Sequence, residues 1–452
     1  MHCLKKAFCI LALLGATFLA GCGGGSKDIT SQSDFNNGSG DQPFKPTTHL
    51  NYRSLVTNYY AGVLQVMDAY QNRLTPYTFT AGTEPTYMQL SPDGTLTLVN
   101  NTGSGTLTSF NNQTEASKTI NLGGYTESFV TSQDNKFAFA AVYSYSNGIP
   151  TNSGGTLVNA PGAIARFNPY DGSELPFVPM QYVRYLGMDP AEKHLLAFTD
   201  VLEVNSSISS TAAYQAHWVD LTQNDPTTNL PVITMLPLSP GTLSRPVAVF
   251  FSSDGTKAYI LNCGLECGGS TNTINGTSYP AWITELDVSN APSAAPVLNQ
   301  WGVQGAQVGY VNQTTNKLYV AGSSATITDS GGNTVQNGNF AIVDFTNGPG
   351  QNIVIGNGQK RIIRNINGML WVGAQNCGIQ SCITMVNPTT GAASVLPNAK
   401  GSATGMTFNN VTNEVYTIEG QELQIYDQSA NPVTSEYNTD VRGQAYDVLY
   451  IH

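Results

Sequence analysis

Two short stretches of the chain carry cysteine pairs whose spacing could support chemistry. NCGLEC occupies residues 262–267, and NCGIQSC occupies residues 376–382. Cysteines this close together can ligate a metal, form a thiol redox couple or close a loop as a disulfide. The choice among these depends on the compartment the chain occupies and on the elements that position each pair.

The N-terminus has the pattern of a bacterial export signal. Lys5 and Lys6 precede an apolar run over residues 7–20, which is too short to span a bilayer comfortably as a permanent helix. The run ends in LAGC at residues 19–22, which resembles the lipobox of bacterial lipoproteins. The resemblance implies that residues 1–21 are a signal peptide and that Cys22 carries lipid. An ordinary secretory signal that contains a cysteine is the alternative.

Residues 22–50 are predicted to form a flexible tether. They are rich in Gly, Ser, Asn and Asp and offer few apolar side chains to bury. By resemblance to the common lipoprotein sorting rule, Gly23 after the cysteine implies an outer-membrane destination in a two-membrane bacterium. We therefore expect residues 51–452 to form a domain in the cell envelope, attached to a membrane through the N-terminal lipid.

Composition limits the class of partner. The 452 residues include 30 Asp and Glu but only 19 Lys and Arg, which gives a net charge of −11. Because nucleic-acid phosphates require a basic surface, this balance argues against a nucleic-acid partner. We expect a protein or glycan partner, no cofactor and a monomer.

Short strand-like segments recur beyond residue 51, with turn residues between them and no convincing long amphipathic helix. An apolar segment that ends in Asp or Asn occurs eight times, at Asp68, Asn111, Asn168, Asp220, Asp287, Asp344, Asn387 and Asp427. A second apolar series, also of eight, precedes the first. A third lies just upstream in seven repeats, often across hairpin turns such as SPDGT and SSDGTK. The first repeat lacks this strand, and the last residues, AYDVLYIH, supply one.

Repeats that each hold four strands are typical of a β-propeller. The sequence therefore predicts an all-β propeller of eight four-stranded blades, in which the C-terminal strand joins the N-terminal blade. Such closure leaves no open sheet edge. Seven blades is the alternative count. A β-sandwich or solenoid is the alternative fold, but it would not explain the unattached last strand.

One segment links the chain to a known family. LVTNYYAG at residues 55–62 resembles the YVTN-type β-propeller repeat, and LVNNTGSG at residues 98–105 is a looser copy. The resemblance covers roughly residues 53–452 and implies architecture, although family members are often described as seven-bladed. Some related propellers are lactonases or quinone-cofactor dehydrogenases, so the resemblance also brings an enzyme into consideration.

The repeat register favours disulfides for the cysteine pairs. Cys263 and Cys377 each follow the second strand of a blade, in blades two apart. A four-cysteine zinc site needs all its sulfurs within about 4 Å of each other, which such blades do not easily supply. A thiol redox couple would use CxxC at a helix N-terminus, and neither is present. Because export favours oxidation, we predict that Cys263 pairs with Cys267 and that Cys377 pairs with Cys382.

Long insertions are predicted on one face of the propeller. This face carries the connections between second and third strands and those between blades, and its insertions are residues 144–162, 202–214, 263–279 and 322–338. They come from four consecutive blades and would form a wall on one side. Long loops on a rigid scaffold often bind ligands, and tolerated surface insertion is the alternative.

Basic residues collect on the same face, around the mouth of the central channel. The blade-to-blade connections carry Arg245, Lys360, Arg361, Lys400 and Arg442, with Arg184 and Arg364 on adjoining inner strands. We predict that this funnel binds an anionic group such as a carboxylate, a phosphate or an acidic sugar. Glu84, Glu127 and Asp440 hold equivalent positions, so neutralisation by ordinary ion pairs is the alternative.

The sequence identifies no catalytic residue and no metal ligands. Of the histidines beyond the signal, His49 lies in the tether, His217 is placed at the start of a strand, and His452 is terminal, so His194 stands alone. Neither GxSxG nor HExxH occurs. Asp93 and Asp254 are predicted to form hairpin turns. We expect a non-enzymatic binding or scaffold module, with a periplasmic lactonase-like hydrolase as the alternative.

Overall fold

The computed structural model describes residues 48–145, 149–150, 157–158, 162–200, 214–328, 334–350, 352–378, 381–397, 400–429, 433–439, 441 and 444–451. Over these residues the chain is a β-propeller of eight blades. The eight-bladed prediction is therefore confirmed over seven blades, and over a sandwich or solenoid. The signal peptide and Cys22 lie outside the described residues. Within them, no helix is both long and apolar enough to traverse a bilayer.

Each blade is an antiparallel sheet that runs outward from the central channel. From the innermost strand outward, the strands are, in blade 1, Ala445–Ile451, Arg53–Asn58, Val63–Asp68 and Arg73–Thr80; in blade 2, Pro85–Leu90, Leu96–Asn101, Thr106–Asn111 and Ser117–Asn121; in blade 3, Gly124–Thr131, Ala138–Tyr145, Ala163–Phe167 and Glu174–Pro179; in blade 4, Val183–Met188, His194–Asp200, Tyr214–Asn224 and Pro231–Met235; in blade 5, Pro246–Phe251, Lys257–Asn262, Ala281–Asp287 and Val297–Val303; in blade 6, Val308–Asn312, Lys317–Thr328, Thr334–Asp344, and Gly348–Pro349 with Ile353–Ile355; in blade 7, Gln359–Ile366, Met369–Gln375, Ile383–Val386 and Ala393–Val395; and in blade 8, Ala403–Asn409, Glu414–Glu419, Glu422–Asp427 and Thr434–Thr439.

Smaller elements lie in the loops. The loop after the second strand of blade 5 contains the 3-10 helix Gly264–Cys267 and a hairpin of Asn272–Ile274 with Thr277–Tyr279. The corresponding loop of blade 3 contains the short pair Ile149–Pro150 and Leu157–Val158. In blade 6 the second and third strands extend into the predicted insertion as one long hairpin. These elaborations lie on the face that the sequence predicted.

Blade 1 is completed by the end of the chain. Ala445–Ile451 pairs antiparallel with Arg53–Asn58, with Arg53 opposite Ile451 and Leu55 opposite Leu449. The prediction that the last strand seals the ring is confirmed.

The recurring Asp and Asn residues have a common local role. In all eight, a side-chain oxygen accepts a hydrogen bond from the backbone N–H two residues further on. This bond closes the turn between the third and fourth strands of each blade. Asp93 and Asp254 do the same in the turns between first and second strands, where they bond the N–H groups of Thr95 and Thr256. Their assignment to hairpin turns is confirmed.

Both predicted disulfides form in the structure. Cys263 joins Cys267 and Cys377 joins Cys382, with Cα atoms 5.6 and 5.5 Å apart. Each bond closes a loop that leaves the second strand of its blade. The first loop contains the 3-10 turn Gly264–Cys267.

Removing either disulfide is expected to cost little global stability. A loop of about five residues restricts the unfolded chain by only about 2 kcal/mol, so the double variant Cys377→Ala/Cys382→Ala should lose no more than that. Urea denaturation of the variant and the oxidised wild type measures the difference. Cys263→Ala/Cys267→Ala is the matched control at the other loop, and a loss above about 4 kcal/mol would contradict the expectation.

Candidate functional site

A cavity of about 250 Å³ opens on the face that carries the blade-to-blade connections, and blades 3 to 7 line it. We call it the funnel pocket. Its charged lining consists of Glu127, Arg184, Asp200, Arg245, Glu266, Lys360 and Arg361. The structure thus brings together four of the six predicted ligand-binding residues. Lys400 is exposed at the entry to blade 8 and is not part of this lining. Arg442 lies outside the described residues.

A repeated backbone feature places Arg245 at the entrance to its strand. In five blades, the residue just before the innermost strand has a positive φ: Glu84, Gly123, Tyr182, Arg245 and Gly358. Arg245 has a φ of 48°. A left-handed conformation costs a non-glycine residue about 1–2 kcal/mol. Residues held this way cluster at functional sites, so the arginine points to a role for this position.

Asp200 holds two arginines on one wall of the funnel pocket. It ends the second strand of blade 4, and its side chain is only 4% exposed. Its Oδ2 accepts hydrogen bonds from Arg184 Nη1 at 3.2 Å and from Arg245 Nη1 of the next blade. Arg184 also forms a two-point ion pair with Glu127 of blade 3, including Nη2 to Oε1 at 3.2 Å. Sequence reasoning anticipated Glu127 as a partner and missed Asp200.

Lys360 and Glu266 occupy the opposite wall. Lys360 is 3% exposed, and its Nζ donates to the carbonyl oxygens of Gly356 and Asn357. Burial lowers the pKa of Lys360 to about 8, and the carboxylate of Glu266 opposes the shift. Glu266 lies within the first disulfide loop and accepts bonds from Ala306 N at 2.9 Å and Ser323 Oγ at 2.6 Å. The disulfide therefore shapes a loop that anchors a carboxylate over blade 6.

The balance of charge in the funnel pocket is positive. Four cationic side chains face three carboxylates, which leaves a formal excess of one positive charge in a chain whose net charge is −11. The ion pairs therefore neutralise the predicted cationic ring in part. Thr199 also lines the cavity, and its buried hydroxyl has no hydrogen-bond partner among the described residues.

A second cavity of about 630 Å³ lies along the central channel and shares Glu127, Tyr185 and Arg361 with the funnel pocket. Its aromatic lining comes from five blades: Tyr87, Tyr125, Tyr185, Tyr310 and Tyr446. Sequence reasoning did not identify these residues. Each is the second or third residue of an innermost strand, so alignment of the repeats could have found them.

Asp447 is a buried acid in the wall of this channel. Its carboxylate accepts bonds from the backbone N–H groups of Met88 at 2.6 Å and Val448 at 2.8 Å. Burial raises the pKa of Asp447 to about 7, although the positive charge of Arg364 opposes the shift. The Arg364 side chain is also enclosed by the channel walls, yet more than a third of its surface faces the channel opening.

The Asp447 side chain is expected to make the stability of the protein depend on pH. Because its pKa is higher in the folded state than in the unfolded state, its contribution is full below about pH 4 and is lost as the pH rises towards 7. Asp447→Asn should remove this decline, so the stability of the variant relative to wild type rises across that range. Urea denaturation from pH 4.5 to 7.5 measures the difference. Asp134→Asn, at an exposed position, is the control, and parallel profiles for wild type and Asp447→Asn would refute the assignment.

The histidines serve structural contacts. His194 Nδ1 lies 3.0 Å from Asp189 Oδ2, and its ring stacks on Trp218. His217 does not begin a strand, as the sequence suggested, because the strand extends back to Tyr214. Burial lowers the pKa of His217. In the described part of the chain, no three His, Cys, Asp or Glu side chains gather as a metal site.

Comparison with known proteins shows likeness in fold alone. No protein-family model matches the chain, and no curated protein matches it significantly. The solved structure of dihydro-heme d1 dehydrogenase NirN in complex with DHE matches with a TM-score of 0.57 at 13% identity, over 93% of this chain and 81% of that one. Apo AztD from Citrobacter koseri matches with a TM-score of 0.50 at 12% identity, over 88% and 98% of the two chains.

A third match, with a TM-score of 0.44, is the periplasmic gluconolactonase PpgL of Pseudomonas aeruginosa, at 15% identity over 89% of this chain and 99% of that one. These proteins are β-propellers. The fold and its cavities therefore place this chain in the class of eight-bladed β-propeller proteins with a partly cationic funnel.

Proposed function

We propose that the chain is a lipid-anchored, non-enzymatic binding module of the bacterial envelope, and that its funnel pocket captures an anionic group of a glycan or protein. The observation that carries this proposal is the convergence of Arg184, Arg245, Lys360 and Arg361 from three blades on one cavity. These residues are far apart in sequence, and only the closed ring brings them together.

The two arginines on Asp200 are preorganised. Their guanidinium groups are fixed by charge-assisted bonds to Asp200 and Glu127, so less side-chain freedom is lost when an anion binds. Arg361 is exposed, and its Nε donates to the neutral Oε1 of Gln375 at 3.0 Å. Arg361 is therefore well placed to meet a carboxylate or phosphate first.

The attachment of the tether supports a funnel that faces away from the membrane. Thr48 donates from its N–H and hydroxyl to the carboxylate of Glu115 at 2.9 and 2.6 Å. Glu115 lies in the turn between the third and fourth strands of blade 2, on the face opposite the funnel pocket. A flexible tether of roughly 26 residues has a mean span of about 25–30 Å. An anchor at Cys22 would then leave the funnel open to ligands.

Removing the charge of Arg361 is expected to weaken anion binding. Arg361→Gln should reduce the affinity for D-galacturonate and inorganic phosphate about tenfold, because a desolvated charge pair of this kind contributes about 1.5–3 kcal/mol. Isothermal titration calorimetry of the detergent-solubilised full chain at low salt measures both. Lys400→Gln removes a like charge on the same face outside the cavity and should change neither. Equal effects of the two substitutions, or no binding of either anion to wild type, would overturn the proposal.

The lipid anchor is tested separately. Cys22→Ala should abolish incorporation of labelled fatty acid and release the protein from the membrane fraction. Retention of label by this variant would exclude Cys22 as the attachment site. Lactone hydrolysis by wild-type protein would favour the alternative hydrolase.

A further inference from the structure

The tyrosines of the central channel form a fixed aromatic surface. Tyr446 stacks on Tyr59 with ring centroids 6.1 Å apart, and Tyr87 stacks on Phe129 at 5.3 Å. Tyr125 is 44% exposed at the level where the channel joins the funnel pocket. Rings held by their neighbours can receive a flat ligand surface with little loss of side-chain freedom.

Two buried hydroxyls of this channel have no hydrogen-bond partner among the described residues. They are Tyr87 Oη and Thr404 Oγ1, and both residues line the cavity. Buried polar groups in native proteins are nearly always paired, so each such exception calls for an explanation. A ligand that brings hydroxyl groups of its own into the channel would satisfy both.

The two cavities divide the work by size and charge. The channel cavity, at about 630 Å³, falls within the range of about 300–1,000 Å³ that holds small ligands. The funnel pocket, at about 250 Å³, falls below that range and suits one charged group. Arg361 belongs to both linings and joins them.

We propose that the channel binds the pyranose rings of an acidic oligosaccharide, with one uronate carboxylate in the funnel pocket and neighbouring rings against the tyrosines. This proposal rests on the proposed anion-binding function and specifies its ligand class. Pyranose rings present apolar C–H faces to aromatic rings and hydroxyls to polar atoms. Arg364 is positioned to meet a further carboxylate within the channel.

The test compares ligand length in the full chain. Calorimetry should show that tri-galacturonate binds wild type at least tenfold more tightly than D-galacturonate. Tyr125→Ala should abolish most of that advantage and leave monomer affinity unchanged. Tyr170→Ala is the matched control, since Tyr170 is 45% exposed and lies in a turn on the opposite face. Tyr87→Phe removes only the unpartnered hydroxyl and should weaken trimer binding severalfold.

The outcomes separate this proposal from the one on which it rests. Equal affinity for monomer and trimer, or a trimer affinity that Tyr125→Ala does not change, overturns the channel site while anion binding in the funnel stands. If Arg361→Gln leaves monomer binding unchanged, the funnel proposal itself is wrong. Tighter binding of 2-naphthoate than of tri-galacturonate overturns the assignment to sugars, because it would show a channel selective for aromatic rings.

Discussion

Deletion of residues 445–452 is expected to leave a chain that does not form the propeller. These residues supply the innermost strand of blade 1, and without it the second strand, Arg53–Asn58, loses the partner on its channel side. The deletion would also open a gap between blades 1 and 8. An array of sheets that is open at this point exposes strand edges that can pair with other chains.

The energy at stake is comparable to the whole stability of a protein. Side chains of a strand alternate between faces, so Val448 and Tyr450 pack into the core shared with blade 8, whereas Leu449 and Ile451 pack into the core shared with blade 2. Burial of each such side chain contributes about 1.5–3 kcal/mol, which gives about 6–12 kcal/mol for four. Native proteins are stable by only about 5–15 kcal/mol.

A single substitution tests the same strand. Val448 is 1% exposed, so Val448→Asp should cost about 4 kcal/mol or more by burying an unpaired charge. Val395→Asp, at a position 45% exposed on the outermost strand of blade 7, should change stability by less than about 0.5 kcal/mol. Circular dichroism and urea denaturation measure both. A synthetic AYDVLYIH peptide added to the deleted chain should restore folding in part, and a native, cooperative transition without it would refute the role of closure.

The fold was largely predictable because its signals are local and repeat. The Asp or Asn that closes each turn bonds a backbone group two residues away, so its recurrence marks the blades whatever the rest of the chain does. The unpaired strand AYDVLYIH then required closure, and the strand count settled eight blades. The cysteine pairs were also local, since each bond spans only four or five residues.

The candidate site was predictable only in part, because its contacts join distant residues. Arg245 and Asp200 are 45 residues apart and belong to neighbouring blades, and no sequence pattern links them. Glu266 meets Ser323 of the next blade across 57 residues. The prediction placed basic residues all around the mouth, whereas the cavity is confined to blades 3 to 7, so Lys400 of blade 8 falls outside it. The roles in ligand binding stay predictions.

Asp200→Asn is expected to destabilise the protein and to tighten anion binding. Asp200 is buried beneath Arg184 and Arg245, and removal of its charge leaves two cations close together. Loss of one member of a buried ion pair costs about 3–5 kcal/mol, and the partial exposure of both arginines reduces this to about 2–3 kcal/mol. Asparagine keeps an oxygen that can accept one of the two bonds, so the fold should survive.

The effect on binding should have the opposite sign. A negative charge roughly 10 Å from a bound anion costs about 1.7 kcal/mol at an effective dielectric constant of 20, so its removal should raise affinity roughly tenfold. Calorimetry with D-galacturonate at two salt concentrations measures this gain, which should shrink as salt screens it. Asp134→Asn, an exposed position on the opposite face, should alter neither stability nor binding. Weaker binding by Asp200→Asn would contradict the prediction, because it would show that the positioning of the arginines by Asp200 matters more than the charge that Asp200 adds to the pocket.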